Sequence, residues 1–183
     1  MTPEQVKKLG CDAFAFLKVA RWASQCISHV DGVSLGPQGR NSMLTAMTFN
    51  FGISLELTLK LLHIKSRGQY PRMHSYSDLF SKLPRSLQED VETIYSNLGQ
   101  KLHFAAFRRS NENVPPDPPE SAPLNTFELV LTHFDRLKLY LQRYSSEQFD
   151  PEEWIEFPYP LTGWIVLLEE ISKCSESLSH RMA

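Results

Sequence analysis

Arginine and histidine residues cluster just after the most apolar stretch of the chain. Arg67, Arg72 and His74 fall within eight residues. A histidine can accept the proton of an RNA 2′-hydroxyl or donate one to the leaving group, and an arginine can stabilise the charge that grows on the phosphate. His74 with Arg67 is therefore a candidate catalytic pair for RNA cleavage without a metal. In the structural alternative, His74 bonds the start of a following helix and Arg67 meets the carbonyl end of the preceding one.

One acid and one base interrupt the apolar stretch itself. Glu56 precedes Lys60 by four residues, among Leu55, Leu57, Leu59 and Leu61. Glu before Lys at this spacing is the favourable orientation for a helical ion pair. Two interpretations remain open: a narrow polar stripe on a long helix, or a polar cluster that faces a cleft or a partner.

A second basic group lies in the segment FRRSNEN, where Arg108 and Arg109 are followed by Glu112. Two arginines at the end of a helix would suit its negative dipole end and pair with Glu112. The alternative is a role facing an anion or a second subunit. The binding or polar centre predicted from the sequence comprises Glu56, Lys60, Arg72, Arg108, Arg109 and Glu112.

Motifs for cofactors and metals are missing from the sequence. It contains no Walker loop, dinucleotide fingerprint, HExxH or GxSxG motif, and its three cysteines are far apart, without zinc-ligand spacing. We therefore expect no cofactor and no metal.

The elements that would position these residues are helices. Apolar periodicity and capping signals predict helices from Thr2 to about residue 31, over 41–66, over 75–83, over 86–109, from about residue 125, and over 161–178. Thr2 and Gln5 match a capping box, Gly68 is placed to end the second helix, and Ser86 with Glu89 matches another box.

A single domain over residues 1–183 accommodates these helices. The predicted fold class is all-α, an up-and-down bundle of four to six helices. Five prolines within residues 115–123 favour an extended surface strap over 113–123. The aromatic, proline-punctuated stretch within residues 147–160 is not assigned a structure.

Charge is distributed unevenly along the chain. Residues 1–59 carry 5 Lys/Arg and 4 Asp/Glu, residues 60–109 carry 9 and 4, and residues 110–183 carry 5 and 13, which sums to the net charge of −2. The basic middle could attract a phosphate backbone. Alternatively, it could pair with the acidic third, within one chain or across a dimer.

Membrane and export signals are not evident. No apolar run approaches the ~18–20 residues that span a bilayer, and the N-terminus MTPEQVKK has no apolar signal core. We expect a cytoplasmic protein without membrane contact.

The stretch LELTLKLLHIKSRGQYPRMHSYSDLFSKLP resembles the HEPN (higher eukaryote and prokaryote nucleotide-binding) domain. An E-x-x-x-K element on a helix precedes a Gly/Pro loop, a His start and an L-x-x-x-L-P ending. Residues 104–112 also look like the F-x-x-W-R-Y-x-x-E segment of some bacterial HEPN-like proteins. The matching positions are Glu56, Lys60, Gly68, Pro71, His74, Leu79, Leu83, Pro84, Phe107, Arg108 and Glu112.

The resemblance implies an all-α bundle, often a homodimer, associated with RNA and with bacterial defence or toxin–antitoxin systems. Catalytic members carry R-x(4–6)-H near the helix that here contains Arg108. No histidine follows Arg108 or Arg109 at that spacing, and the matching pair Arg67 and His74 lies in the preceding loop. The resemblance therefore implies a non-catalytic module.

Three functional hypotheses follow. The first is a dimeric HEPN-like domain that binds RNA or a partner protein encoded nearby without cutting it. The second is a metal-independent endoribonuclease that uses His74 with Arg67 or Arg108. The third is a purely structural assembly module.

Overall fold

The structure, a computed structural model, describes residues 1–29, 36–98, 102–108, 125–137, 154–159 and 161–181. The described part contains six helices and one pair of short strands. In chain order these are α1 (Pro3–His29), α2 (Gly36–Arg67), α3 (Tyr76–Ser81), α4 (Arg85–Leu98), β1 (His103–Arg108), α5 (Phe127–Leu137), β2 (Trp154–Tyr159) and α6 (Leu161–Arg181). The prediction of a mainly helical chain is confirmed, and its helix count agrees with the upper end of the predicted range.

Helix α1 begins as its sequence predicts. The backbone N–H of Gln5 donates to Thr2 Oγ1 at 3.2 Å, and the backbone N–H of Thr2 donates to Gln5 Oε1 at 2.8 Å. These reciprocal bonds form a capping box, which satisfies donors that the first helical turn would otherwise leave free. Ala13, Leu17 and Ala20 are buried on the predicted apolar face.

Helix α2 is the central helix and contacts α1, α3 and α6. Its wide apolar arc explains this position, because Phe51, Leu55, Leu59 and Leu62 are all buried. The helix begins at Gly36, five residues before the predicted start. Gly68 ends it with φ +68° and donates its N–H to the carbonyl of Ile64 at 2.7 Å. The predicted glycine cap is therefore confirmed.

Helix α4 is shorter than predicted. It begins at Arg85, with the carbonyl of Pro84 accepting from its first turn, so Ser86 lies inside the helix and not at a capping position. It ends by Leu98, and the predicted helical extension to Arg109 is wrong, because His103–Arg108 forms strand β1. The sequence places a glycine at position 99, and glycine is the residue most common just after a helix end, a signal that the apolar periodicity does not include.

Strands β1 and β2 pair in antiparallel register. His103 lies opposite Tyr159, and Arg108 lies opposite Trp154. Strand β2 covers most of the aromatic stretch to which the sequence assigned no structure. Backbone hydrogen bonds to a segment about 50 residues away thus decide the conformation of residues 103–108, against a local helical pattern. The proline-rich segment 113–123 lies outside the described residues.

Aromatic rings join the helices into one core. Phe51 of α2, Phe134 of α5 and Trp164 of α6 have ring centroids 5.5–6.4 Å apart. Phe134 also meets Tyr76 of α3 at 6.1 Å. Such pairs add about 0.5–1.5 kcal/mol each beyond the burial of their area. The core therefore holds α2, α3 and α5 in fixed relation, and these elements carry the polar residues described next.

Candidate functional site: a polar pair beneath a basic loop

Glu56 and Lys60 form an ion pair within α2. Lys60 Nζ lies 2.7 Å from Glu56 Oε1, and the two side chains are 3% and 12% exposed. The pair is therefore largely shielded from solvent in the folded chain. A narrow polar stripe on the helix and a polar cluster facing a cleft or a partner both stay open, but either one is largely shielded from solvent. The pair belongs to the interior.

His74 completes a three-residue cluster with this pair. Its Nδ1 lies 2.9 Å from Glu56 Oε1, the oxygen that also accepts from Lys60, while 65% of the His74 side chain is exposed. The Lys60 ammonium lies 5.1 Å from the ring centroid of Tyr70, which is a cation–π contact. The segment from Arg67, the last residue of α2, to Ser75 is here called the basic loop, and it is thus anchored to α2 at two points.

Asp135 of α5 fixes the far end of the basic loop. Its carboxylate accepts from the backbone N–H groups of Tyr76 and Ser77 at 2.7 and 2.9 Å, and from the hydroxyls of Ser75 and Ser77 at 2.9 and 2.6 Å. A carboxylate at a helix start is favourable because the helix dipole is positive there. Asp135 is not among the site residues predicted from the sequence. The available signal was an acidic residue in the last turn of α5, where the helix dipole disfavours negative charge, which indicates that its carboxylate has a partner elsewhere.

His63 ties α2 to α3 beneath the loop. Its Nε2–H donates to the carbonyl of Leu79 at 2.7 Å, and only 5% of the residue is exposed. Burial lowers the pKa of His63 from its usual value; the hydrogen bond to Leu79 opposes this shift, and the nearby charges of Arg67 and Lys82 add to it. This histidine is a neutral structural residue. Its interactions also place Arg67 and Lys82 near the same end of the molecule.

Positive charge predominates in the sequence of the basic loop and its flanks. Residues 65–85 hold five Lys/Arg and one acid, Asp78. Arg67 and Arg72 are exposed, and neither makes an ion pair with any residue that the structure describes. Tyr70, which lies between these two arginines in the sequence, is 44% exposed. The loop therefore offers two guanidinium groups, an aromatic ring and an imidazole on one anchored segment.

The third predicted group of site residues is only partly placed. Arg108 is the last residue of β1, opposite Trp154, and its side chain is outside the described part of the structure. Arg109 and Glu112 lie outside the described residues. The expected meeting of Arg108 and Glu112 with Glu56 and Lys60 stays a prediction.

Within the described ranges, no group of three or more His, Cys, Asp or Glu residues could hold a metal ion. No helix in those ranges is long and apolar enough to cross a membrane. Comparisons of the chain with protein-family models, with curated proteins and with solved structures find no match.

Proposed function

We propose that this protein is a HEPN-like helical module that binds single-stranded RNA through its basic loop without cutting it. The setting implied by the resemblance is bacterial defence or a toxin–antitoxin system, with the protein acting as a homodimer. The observation that carries the proposal is the anchored loop with exposed Arg67, Arg72, Tyr70 and His74.

The side chains of this loop match the chemistry of a single strand. Guanidinium groups bind phosphate through several parallel hydrogen bonds, and an exposed aromatic ring stacks on a base. The Glu56 and Asp135 contacts hold the C-terminal end of the loop, at His74 and at Ser75 to Ser77, and helix α2 holds its start, so less conformational entropy is lost when RNA binds. Unpaired Arg67 and Arg72 can engage phosphates without first breaking an internal ion pair with described residues.

The side chains of the basic loop favour binding over catalysis. Cleavage of RNA without a metal needs one group to remove a proton and another to supply one. Within the basic loop, His74 is the one histidine and there is no carboxylate, so the loop itself offers a single imidazole for both proton transfers. The sequence also lacks a histidine at the catalytic spacing after Arg108.

The binding test is a titration of a fluorescent single-stranded RNA at several salt concentrations, read by anisotropy. Each lost phosphate contact on a single strand lowers the salt slope by about 0.7, so the double variant Arg67→Ala/Arg72→Ala should lower it by about 1.4. Tyr70→Ala should weaken binding by roughly 1–3 kcal/mol through lost stacking.

The matched control is Lys8→Ala/Lys18→Ala, which removes two positive charges from the exposed side of α1. This variant should retain the wild-type slope. If both double variants lower the salt slope equally, RNA binding depends only on the net charge of the protein, and the loop is refuted as the binding site. Wild-type protein that does not bind RNA at low salt would refute the proposal as a whole.

A metal-independent endoribonuclease is the second candidate. The bond between Glu56 and His74 favours it, because a carboxylate that orients an exposed imidazole is a common acid–base arrangement. It predicts that wild-type protein cleaves RNA in the presence of EDTA. His74→Ala should abolish this cleavage, and Arg67→Ala should strongly reduce it. RNA that remains intact with wild-type protein removes this candidate and leaves the binding proposal standing.

Homodimerisation is tested separately by sedimentation velocity with and without RNA. A monomer that still binds RNA would remove the dimer from the proposal and keep the binding. A dimer that binds no RNA would instead favour the third hypothesis, an assembly module.

A further inference from the structure

The ring of Tyr70 in the basic loop lies against a buried cation. Lys60 Nζ is 5.1 Å from the ring centroid, over one face of the ring. The Lys60 side chain is 3% exposed, and its ammonium also pairs with Glu56 at 2.7 Å. Tyr70 itself is exposed. An exposed aromatic ring is thus held in place by a lysine that belongs to the interior.

Only one face of this ring is accessible to a ligand. Because Lys60 is almost completely enclosed, a flat molecule that arrives from solvent cannot enter between the ammonium and the ring. No other aromatic ring of the described residues stacks on Tyr70. The opposite face of Tyr70 can therefore stack on a single base.

The cation also changes what the opposite face of the ring prefers. A positive charge over one face draws π-electron density towards itself. The other face then carries less negative charge and repels an electron-rich base less. Adenine and guanine are larger and more electron-rich than uracil, so they gain more from overlap and from this polarisation. The contact between Lys60 and Tyr70 therefore favours a purine.

Positive charges flank Tyr70 on both sides along the chain. Arg67 precedes it by three residues and Arg72 follows it by two, so at most about 11 Å and about 7 Å of chain separate them from it. A guanidinium group is therefore close to Tyr70 in each direction, and each can bind a phosphate. A nucleotide within a strand has a phosphate on either side of its base, whereas a free mononucleotide offers phosphate on one side only.

We infer that Tyr70, held by Lys60, makes the basic loop selective for single-stranded RNA with a purine at the stacking position. The inference rests on the proposed RNA binding by this loop and adds the base preference of the same site. Tyr70 contacts the base, and Lys60 is a positioning residue that acts through the ring.

The test uses the full chain and four short RNAs of sequence UUNUU, in which N is A, G, C or U. Each carries the same fluorophore, and binding is read by anisotropy at one low salt concentration. The four RNAs have equal phosphate charge, so differences among them report recognition of the central base. Wild-type protein should bind the A and G RNAs roughly threefold to tenfold more tightly than the U RNA.

Two failures of this experiment are distinguishable. Equal affinity for all four RNAs would overturn the purine preference and leave RNA binding by the loop standing. The absence of binding to any of them would refute the proposed function together with the inference.

Substitutions at Tyr70 test whether its ring makes the base contact. Tyr70→Leu should lower the preference for A over U to less than about twofold, whereas Tyr70→Phe keeps the ring and should retain the preference. Circular dichroism checks that both variants fold, which is expected because the side chain is exposed. An unchanged preference in Tyr70→Leu would place base recognition elsewhere and overturn the inference.

Substitutions at Lys60 test the part played by the buried cation. Lys60→Met removes the charge and should lower the preference for A over U, while Lys60→Arg keeps a positive charge and should restore it. The salt slope should stay at the wild-type value in both variants, because the enclosed Lys60 reaches no phosphate. A folded Lys60→Met protein with the wild-type preference would refute the role of the cation.

Free AMP distinguishes a base within RNA from a mononucleotide. It should displace the labelled A RNA only at a concentration roughly a hundredfold above that of unlabelled UUAUU, because it cannot engage both arginines at once. Displacement at equal concentrations would assign the site to a free purine nucleotide and overturn the inference.

Discussion

The buried ion pair in α2 allows a quantitative test of how this fold treats charge. The perturbation is Glu56→Gln, which keeps the shape of the side chain and removes its charge. At the 2.7 Å between Lys60 Nζ and Glu56 Oε1, two unit charges attract by about 6 kcal/mol at an effective dielectric constant of about 20. Desolvation of both ions offsets most of this attraction in the intact protein.

The single variant changes that balance because the cost of burying Lys60 remains while its partner is lost. Breaking a buried pair in this way costs about 3–5 kcal/mol. The remaining amide oxygen can still accept a hydrogen bond from Lys60, so we expect the lower end, about 3 kcal/mol. This is a large share of the roughly 5–15 kcal/mol that stabilises a typical domain.

A double-mutant cycle separates the pair from its surroundings. Lys60→Met should cost about 2–3 kcal/mol alone, since His74 still bonds Glu56. The double variant Glu56→Gln/Lys60→Met should cost far less than the sum, which gives a coupling free energy of about 2–4 kcal/mol. Urea unfolding followed by circular dichroism measures the change in the free energy of unfolding, relative to wild type, for the two single variants and the double variant.

The matched control is Glu89→Gln. Glu89 also pairs with a base four residues away, Arg85, at 3.0 Å, but these side chains are 66% and 90% exposed. Its loss should cost no more than about 0.5 kcal/mol. If Glu56→Gln costs as little as Glu89→Gln, or if the cycle is additive, the pair is effectively solvated and the argument for an enclosed α2 fails.

Three further predictions concern the elements that hold the loop. Asp135→Asn should lower the free energy of unfolding by about 2–3 kcal/mol, because a neutral amide cannot replace the carboxylate that accepts four hydrogen bonds at the start of α3; chemical denaturation checks this, and a change below about 0.5 kcal/mol would contradict it. Gly68→Ala should destabilise the protein by about 1–2 kcal/mol because φ is +68° there, whereas Gly10→Ala should stabilise it by about 1 kcal/mol; thermal unfolding of both variants compares the signs, and equal signs would refute the backbone argument. The lowered pKa of His63 means that the unfolded chain gains a proton below about pH 6.5 before the folded protein does. Its contribution to stability is therefore complete above that pH and is lost as the pH falls towards the folded pKa. Between about pH 7.5 and about pH 5.5, the urea midpoint should decrease more for wild type than for His63→Gln, which retains a donor for the carbonyl of Leu79. An equal decrease in both proteins would contradict a lowered pKa for His63.

Local sequence patterns predicted elements where the deciding forces act between near neighbours. The Thr2–Gln5 capping box and the glycine end at Gly68 are set by residues within one or two turns. The apolar arc of α2 predicted its central position because burial follows directly from the spacing of its leucines. The i,i+4 spacing likewise predicted that Glu56 and Lys60 would pair, though not how deeply.

Long-range contacts decided what those patterns could not express. Strand β1 replaced a predicted helical turn because its backbone partners, residues 154–159, are distant in the sequence. The same holds for Asp135, which meets the start of α3 across about 60 residues. The sequence predicted that His74 lies in a loop near Arg67. Its hydrogen bond to the buried carboxylate of Glu56 became evident only in the folded chain.

The sequence by itself determined that this chain is mainly helical, where α1 begins and α2 ends, and that an acid and a base share one turn of an apolar helix. Only the tertiary structure decided that this pair is enclosed, that the basic loop folds back on it, and that the ring of Tyr70 lies against Lys60. The physical reason is that helix formation depends on interactions over a few residues, whereas burial and strand pairing depend on surfaces that the folded chain brings together.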